Sequence, residues 1–363
     1  MKVLFACGGS GGHINPAVAM AQMLMKSFPL SECAFAGRAD SMEERAALRE
    51  GFPFHRISIE GFYRKITCRN LRSAFLALKA PRDAELILKD IGAELVIGTG
   101  GYVSYPFIKA AHKLRIPCVL YEANAIPGLT FRLCERQSTR TLLQFEECLR
   151  HIKHPEKARV IGAPLRADFY TVTREKARHL LGISENTFFF LSFGGSQGAA
   201  QINRSAIEAM TRLEGESGLL HIHACGERYY ESIRKEHPHL VRKNRIFPYI
   251  DRMPLYMSAA DLILCRAGAI TLAELARLGR AAILVPSPNV SADHQMKNAQ
   301  AYETKGAATV IAEKELSGER LAECVLLFRK NRSAIRRMEE AVRCFDVKET
   351  PTLFTDAIYA LHS

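Results

Sequence analysis

The chain of 363 residues lacks the features that mark several large protein classes. Its ten cysteines are scattered and contain no C-x-x-C pair, which argues against a disulfide framework or a zinc site and indicates reduced thiols in a cytosolic compartment. No segment is of low complexity, and no apolar run approaches the roughly 18 residues of a membrane-spanning helix. The opening apolar run is short and ends in glycines, so we expect no leader sequence. These absences predict an ordered protein that is cytoplasmic or peripheral to a membrane.

Three common phosphate-binding and metal-binding motifs are also missing. The first glycine-rich segment, residues 8–13 (GGSGGH), does not fit G-x-G-x-x-G, because Ile14 occupies the third glycine position counted from Gly9. No Gly-Lys-Ser/Thr follows it, so it is not a P-loop. The chain has no D-x-D pair, and a metal–diphosphate clamp is therefore not apparent. Redox and ATPase functions are weakly supported, and we expect no metal.

The chain has a surplus of positive charge. Its formal net charge is +12 and its sequence pI is about 9.3. A basic surplus suggests an anionic partner such as nucleic acid, acidic lipid or a phosphorylated substrate. No recognised nucleic-acid motif is present and that function would leave the glycine loops unexplained, so we expect no nucleic-acid partner.

Short apolar segments alternate with helical patterns, which predicts an α/β protein with parallel sheets covered on both faces. We place strands at residues 2–7, 32–36, 54–57, 94–98, 118–121, 141–143, 188–193, 219–224, 245–247, 261–265, 281–285 and 308–311. The length suggests two domains, at residues 1–163 and 164–346. The amphipathic C-terminal segment, about residues 347–363, should pack back on the first domain.

Glycine-rich turns follow three of these strands, at residues 8–12, 98–101 and 194–198. Glycine lets the backbone turn tightly and approach a ligand, and the N–H groups of such a turn and of the helix after it attract anions. Ligands bind at the carboxyl ends of the strands in doubly wound sheets. We therefore expect the three loops to converge on one cleft.

Two side chains of the first half are candidates for acid–base chemistry. His13 stands where the first loop becomes a helix, so it is either a general base or a helix-capping residue. Glu122 follows the fifth strand, and it orients Asn124, acts as an acid or base, or forms a cap or salt bridge.

The second loop is either a tight turn or an anion-binding nest for an acceptor diphosphate. Its residues are Gly98, Thr99, Gly100, Gly101 and Tyr102.

The second half carries candidates for binding a pyrophosphate and a ribose. Residues 194–198 offer backbone N–H groups, the Ser196 hydroxyl and the Gln197 amide. Arg166, at the predicted domain junction, offers a fixed positive charge or forms an exposed salt bridge. Glu274 lies in the first turns of a predicted helix that follows Gly268, where a carboxylate accepts both ribose hydroxyls or interacts with the helix dipole.

Six segments in this order resemble the MurG family of glycosyltransferases, and the resemblance runs from residue 1 to about residue 308. They are GGSGGH (8–13), GTGGYVS (98–104), EANAIPG (122–128), FGGSQGA (193–199), CRAGAITLAE (265–274) and DHQMKNA (293–299). The resemblance implies a GT-B fold, with two Rossmann-like domains. It also implies an inverting transfer of N-acetylglucosamine from UDP-N-acetylglucosamine to the 4-hydroxyl of undecaprenyl-diphospho-muramoyl-pentapeptide. That reaction forms lipid II for peptidoglycan synthesis at the cytoplasmic face of the membrane, without metal or cofactor.

The resemblance further implies which residues contact the donor, with Ile250 at the uracil, Glu274 at the ribose and Gln295 at the sugar hydroxyls. His13 is the best candidate for the catalytic base. The implied donor-contacting set is Ser10, Gly11, Gly12, Asn124, Arg166, Ser196, Gln197, Ile250, Ala269, Ile270, Thr271, Leu272, Ala273, Glu274 and Gln295.

A lipid acceptor requires a face for an anionic membrane. Residues 61–72 are basic with interleaved apolar groups, and Leu71, Phe75 and Leu78 then share one helical face, with Leu76 adjacent. This segment either docks on anionic lipid or forms an ordinary helix that faces the core.

Two other enzymes of the same fold are alternatives. A glycosyltransferase acting on diacylglycerol or a small natural product would not need the second loop, which suits a diphosphate. A sugar-nucleotide epimerase would need carboxylates near the anomeric carbon, and Glu122 is the obvious one.

Overall fold

The computed structural model describes residues 1–61, 68–243, 245–290 and 293–361, and the chain divides into two compact units. The first unit is Met1–Ala167 with Val347–Ser363, and the second is Asp168–Asp346. The C-terminal segment therefore groups with the first unit. The chain leaves the first unit after Ala167, slightly later than the predicted boundary after Ala163.

Each unit is built on one fully parallel sheet. The first unit has the strand order β3-β2-β1-β4-β5-β6-β7, and the second has β10-β9-β8-β11-β12-β13. The strands are β1 Lys2–Ala6, β2 Glu32–Gly37, β3 Phe54–Arg56, β4 Leu95–Gly98, β5 Cys118–Glu122, β6 Arg140–Leu143, β7 Ala158–Val160, β8 Phe188–Phe193, β9 Leu219–Ala224, β10 Ile246–Phe247, β11 Leu262–Cys265, β12 Ala282–Leu284 and β13 Thr309–Val310.

Helices connect these strands. They are α1 Gly11–Ser27, α2 Met42–Arg49, α3 Cys68–Ile91, α4 Ser104–Leu114, α5 Leu129–Cys134, α6 Asp168–Thr171, α7 Arg174–Leu181, α8 Ala200–Arg212, α9 Glu227–Glu236, α10 Pro238–Arg242, α11 Met253–Ala259, α12 Ala269–Leu278, α13 His294–Thr304, α14 Gly318–Lys330, α15 Arg332–Val342 and α16 Thr350–Tyr359. Helix α16 packs against α1 in the first unit. No helix within the described ranges is long and apolar enough to cross a membrane.

The twelve predicted strands all occur, with ends shifted by a residue or two at several positions. Strand β8 is buried along its whole length, because helices cover both faces of a parallel sheet and favour a continuous apolar run. The sequence missed β7, which lies at the edge of the first sheet and carries the exposed Arg159 between two half-buried residues. An edge strand of three residues leaves too short an apolar pattern to detect.

The strand order gives each unit one point where successive connections leave in opposite directions. In the first unit β1 lies between β2 and β4, so the loops after β1 and β4 flank that point. In the second unit β8 lies between β9 and β11, with the same consequence for the loops after β8 and β11. Doubly wound sheets bind ligands there. The glycine loops predicted from the sequence therefore occupy the ligand-binding edge of their sheets.

A buried carboxylate joins several elements of the second unit. Asp261, just before β11, accepts hydrogen bonds from Arg332 Nη1 at 2.7 Å, Arg178 Nη1 at 3.3 Å and the Phe189 N–H at 2.7 Å. Arg174 also donates to it. Burial by itself raises the pKa of Asp261, but the charge of Arg174, the Phe189 hydrogen bond and the charge of Arg332 outweigh burial and lower it.

We expect Asp261→Ala to lower the free energy of unfolding of the second unit by about 3–5 kcal/mol, because it removes a buried carboxylate that pairs with the fully buried Arg178 guanidinium. The folded-state pKa of Asp261 is depressed, so its contribution is present above the ordinary aspartate pKa of about 3.9 and is lost as the pH falls through the lower folded value. Urea unfolding between pH 3 and pH 7 measures both effects.

Glu214→Ala serves as the control, since the ion pair of Glu214 with Lys243 is half exposed. It should leave the unfolding midpoint nearly unchanged. An Asp261→Ala protein as stable as the Glu214→Ala protein would contradict the structural role of the cluster.

Candidate functional sites

The two glycine loops of the first unit contact each other. Gly101 has φ of 75°, and a Cβ atom there would lie 2.1 Å from the carbonyl oxygen of Gly8. The Ala6 carbonyl accepts hydrogen bonds from Ser104 Oγ at 2.8 Å and from the Thr99 N–H at 3.2 Å. The expectation that the second loop lies beside the first is confirmed. Ser104, which sequence reasoning passed over, is the hydroxyl that joins them.

His13 lies at the junction of these loops. Its Nδ1 is 3.0 Å from the Gly8 carbonyl oxygen, which can only accept, so Nδ1 carries the hydrogen and Nε2 has the lone pair. Gly100 lies against the ring, and a Cβ there would be 2.5 Å from His13 Cδ2. Burial lowers the pKa of His13, partly offset by the Gly8 hydrogen bond and the charge of Glu122. The imidazole is therefore neutral at neutral pH, with Nε2 able to accept a proton.

Glu122 organises the loop that follows β5. Its Oε1 accepts hydrogen bonds from the backbone N–H of Asn124 at 3.0 Å and from Asn124 Nδ2 at 2.8 Å. Its Oε2 accepts from the Gly128 N–H at 2.8 Å. Three donors thus occupy a buried carboxylate. These contacts favour the orienting role of Glu122 over an acid–base role, and they leave Asn124 Oδ1 as an acceptor for a ligand.

The third glycine loop repeats the close approach in the second unit. Gly198 has φ of 71°, and a Cβ atom there would lie 2.1 Å from the carbonyl oxygen of Cys225. Helix α8 begins two residues later, at Ala200. Ser196 is half-buried and Gln197 is exposed. The loop therefore presents backbone N–H groups, a hydroxyl and an amide beside a helix N-terminus, which together suit an anion.

The loop after β11 flanks the ligand-binding edge of the second sheet, beside the loop after β8. Helix α12 starts at Ala269 and buries Glu274 in its second turn. Arg266 donates to the Val285 carbonyl at 3.1 Å and pairs with Glu313, which fixes the turn between strand and helix. The other predicted residues of α12 are Ile270, Leu272 (both buried), Thr271 and Ala273 (both half-buried).

Helix α13 is tied to the turns beside it. Gln295 Oε1 accepts from the Ser287 N–H at 2.9 Å, and Asn298 Nδ2 donates to the Ala267 carbonyl at 3.3 Å. Among the described residues the amide nitrogen of Gln295 has no partner, so it can donate to a sugar hydroxyl. Ile250, after β10, is buried.

The predicted donor-contacting residues fall in both units. Ser10, Gly11, Gly12, Asn124 and Arg166 belong to the first unit. The remaining members, from Ser196 to Gln295, belong to the second.

The hydroxyl of Thr99 supports the start of α1. It donates to the carbonyl of His13 at 2.7 Å, and Thr99 is buried. We expect Thr99→Val, which removes the hydroxyl at nearly constant volume, to lower the free energy of unfolding by about 1 kcal/mol. Thr99→Ser keeps the hydroxyl and should retain most of that stability. Equal stability of the Val variant and the parent in chemical unfolding would show that this bond contributes nothing.

Comparison with known proteins gives full-length matches. The glycosyltransferase family 28 N-terminal domain matches residues 3–143, and the family 28 C-terminal domain matches residues 190–351. The UDP-N-acetylglucosamine–N-acetylmuramyl-(pentapeptide) pyrophosphoryl-undecaprenol N-acetylglucosamine transferase of Acetivibrio thermocellus is 38% identical over 362 residues, covering 99% of this chain and 97% of the relative.

Solved structures also match this chain over nearly its whole length. MurG of Acinetobacter baumannii is 27% identical, with a TM-score of 0.70 and 99% of each chain covered. A UDP-GlcNAc 2-epimerase from Neisseria meningitidis, solved with UDP-GlcNAc bound, has a TM-score of 0.67 at 14% identity over 99% of this chain and 100% of its own. At that identity the second likeness concerns the fold alone.

Proposed function

This chain belongs to glycosyltransferase family 28, and we propose that it catalyses the reaction for which its full-length relatives are named. N-Acetylglucosamine is transferred from UDP-N-acetylglucosamine to a muramoyl-pentapeptide that is linked through pyrophosphate to undecaprenol, which yields lipid II. The observation that carries the proposal is the position of the His13 imidazole, whose Nδ1 bonds the Gly8 carbonyl and whose ring packs against Gly100, with Nε2 as the basic nitrogen.

The reaction is a single displacement. Nε2 of His13 takes the proton of the acceptor 4-hydroxyl while that oxygen forms a bond to the anomeric carbon of the donor. The bond between the anomeric carbon and the UDP oxygen breaks, and UDP leaves with the electron pair. Attack opposite the leaving group converts the α-linked donor into a β-1,4-linked product.

Fixed donors stabilise the negative charge that develops on UDP. The Gly198 N–H donates to the Gly195 carbonyl at 2.9 Å and closes the turn. The backbone N–H groups of residues 194–197 and the Ser196 hydroxyl are held by this bond and by the Gly198–Cys225 contact, so they need not reorganise during the reaction. Arg166 adds a permanent positive charge. In this proposal these groups perform the task that a metal ion performs in other transferases, and no cofactor takes part.

Other residues of the second unit recognise the nucleoside and the sugar. The Glu274 carboxylate, which can only accept, bonds both ribose hydroxyls. The backbone of Ile250 contacts uracil, and the free amide nitrogen of Gln295 binds a sugar hydroxyl. In the first unit, residues 98–102 hold the acceptor diphosphate. The Thr99 N–H donates to the Ala6 carbonyl and the Gly100 N–H to Ser104 Oγ, so in this proposal the N–H groups of Gly101 and Tyr102 meet the anion.

The geometry of Glu122 argues against an epimerase. Such a reaction needs a carboxylate free to move a proton, whereas the carboxylate oxygens of Glu122 accept three N–H bonds from its own loop.

The function is tested by incubating the protein with UDP-N-acetylglucosamine, with and without the lipid-linked muramoyl-pentapeptide. We expect UDP release only with that acceptor, and a product that is heavier by one N-acetylglucosamine. Release without the acceptor, or no release with it, would overturn the proposal.

We expect His13→Ala to lower turnover roughly 10²–10⁴-fold, the usual contribution of a general base, while UDP affinity stays near the parent value. Because burial lowers the pKa of His13, the acid limb of the pH–rate profile should lie below the ordinary histidine value of 6.5.

His112→Ala is the matched control, since that histidine is exposed in the last turn of α4. It should keep both the parental rate and the acid limb. A His13→Ala enzyme with parental turnover would remove His13 from the base role.

We propose further that α3 docks the enzyme on the anionic cytoplasmic face of the membrane. The helix exposes Phe75 by 67%, Leu78 by 81% and Leu86 by 68%. Lys79 and Arg82 are exposed between them, and residues three or four apart share one helix face. Phe75 and Leu78 therefore do not face the core, which was the alternative. Residues 62–67 of the predicted segment, and the side chains of residues 68–72 with Leu71 among them, lie outside the described part of the structure. A mixed basic and apolar stripe suits anionic lipid.

We expect the protein to bind anionic vesicles at low salt and to release them as salt rises, because the Debye length shortens. Leu78→Glu should reduce this binding. Leu30→Glu changes a leucine that is 93% exposed elsewhere in the first unit and should not. Co-sedimentation with vesicles measures the difference, and absence of binding at low salt by the parent would refute the docking proposal.

A further inference from the structure

A series of hydrogen-bonded, buried polar side chains lies in the second unit next to the third glycine loop, residues 194–198. Ser192 belongs to β8, His221 and His223 to β9, and Asn203 to α8. All four are at most 3% exposed. The mechanism above uses none of them, yet burying four polar side chains is costly unless they bond one another well.

The amide of Asn203 sets the direction of the hydrogen bonds. Its Nδ2 donates to the carbonyl oxygen of Cys225 at 2.9 Å, so its Oδ1 is the atom that faces His223 Nε2 at 3.1 Å. An amide oxygen can only accept. His223 Nε2 therefore carries a hydrogen and donates it to Asn203.

The remaining bonds follow from this assignment. Burial lowers the pKa of His223 to about 4, so the ring is neutral at ordinary pH and its Nδ1 is an acceptor. That Nδ1 lies 2.8 Å from Ser192 Oγ and 3.0 Å from the Ser192 carbonyl oxygen. Because the one ring hydrogen is on Nε2, the Ser192 hydroxyl donates its hydrogen to Nδ1, and the carbonyl oxygen is a close neighbour that receives no hydrogen bond from the ring. The same oxygen then accepts from His221 Nε2, also at 2.8 Å. His221 Nδ1 is the far end of the chain and has no partner among the described residues.

The near end of the chain is the Cys225 carbonyl, and the nucleotide loop lies against it. A Cβ atom on Gly198 would be 2.1 Å from the Cys225 oxygen, and one on Gly226 would be 2.7 Å from the Gly198 nitrogen. A shift of the Cys225 carbonyl therefore displaces Gly198. His223 acts on that carbonyl through Asn203, whereas His221 lies on the other side of Ser192.

We propose that His223 is a positioning residue for the nucleotide diphosphate, because through Asn203 it fixes the Cys225 carbonyl and hence the third glycine loop. The inference rests on the proposed function, which assigns UDP to that loop. It distinguishes two buried histidines that are two residues apart on one strand and lie on the same face of the sheet. Only one of them connects to the loop.

The test compares His223→Leu with His221→Leu. Both changes replace a fully buried imidazole with an apolar side chain, so both should lower the melting temperature. We expect His223→Leu to weaken UDP binding at least about tenfold in isothermal titration calorimetry of the folded protein, with His221→Leu within about twofold of the parent. Equal UDP affinity of the two variants would overturn the proposal, since a merely structural role would affect both alike.

Asn203→Ala interrupts the same series of hydrogen bonds at a second residue, and it serves as the test if His223→Leu does not fold. It removes the donor to Cys225 while leaving both histidines and Ser192 in place, and it should also weaken UDP binding at least about tenfold. Parental UDP affinity in Asn203→Ala would overturn the proposal. A parent protein that does not bind UDP would instead contradict the proposed function itself, so the two failures are distinguishable.

Discussion

A glycine α-carbon packed against a backbone carbonyl is the contact on which both candidate sites depend. Gly101 meets the Gly8 oxygen in the first unit and Gly198 meets the Cys225 oxygen in the second. In each case φ is positive and a Cβ atom would lie 2.1 Å from the oxygen, so any other residue is excluded both by strain and by collision. The contact brings two loops together where the connections of the sheet diverge.

The two units use this contact for different chemistry. In the first, the joined loops enclose His13 and leave one ring nitrogen basic, which suits proton removal from an acceptor hydroxyl. In the second, the contact positions backbone N–H groups for an anion. The buried hydrogen-bonded side chains of Ser192, His223 and Asn203 hold the Cys225 carbonyl that forms this contact. Both units thus share the close backbone contact. The side chains around it differ, and they determine which ligand the carboxyl edge of each sheet binds.

Much of the fold and part of the candidate site could be predicted from the sequence. Strands buried on both faces leave continuous apolar runs such as residues 188–193, and glycine clusters after them mark the ligand edge. The bonds of Thr99 to the His13 carbonyl and of Ser192 to His221 and His223 could not be predicted. They depend on which loops, helices and strands become neighbours in the folded protein, and the apolar pattern of one segment does not specify that pairing. The orientation of Glu122 depends likewise on the local path of residues 123–128.

The central claim is that the same kind of glycine–carbonyl contact positions the UDP-binding loop in one unit and the catalytic base His13 in the other. Its most direct test is the UDP affinity of Gly198→Ala and Gly101→Ala, measured by calorimetry on protein with parental circular dichroism. The account predicts that Gly198→Ala weakens UDP binding at least about tenfold while Gly101→Ala stays within about twofold of the parent. Equal loss of UDP affinity in the two variants would contradict it.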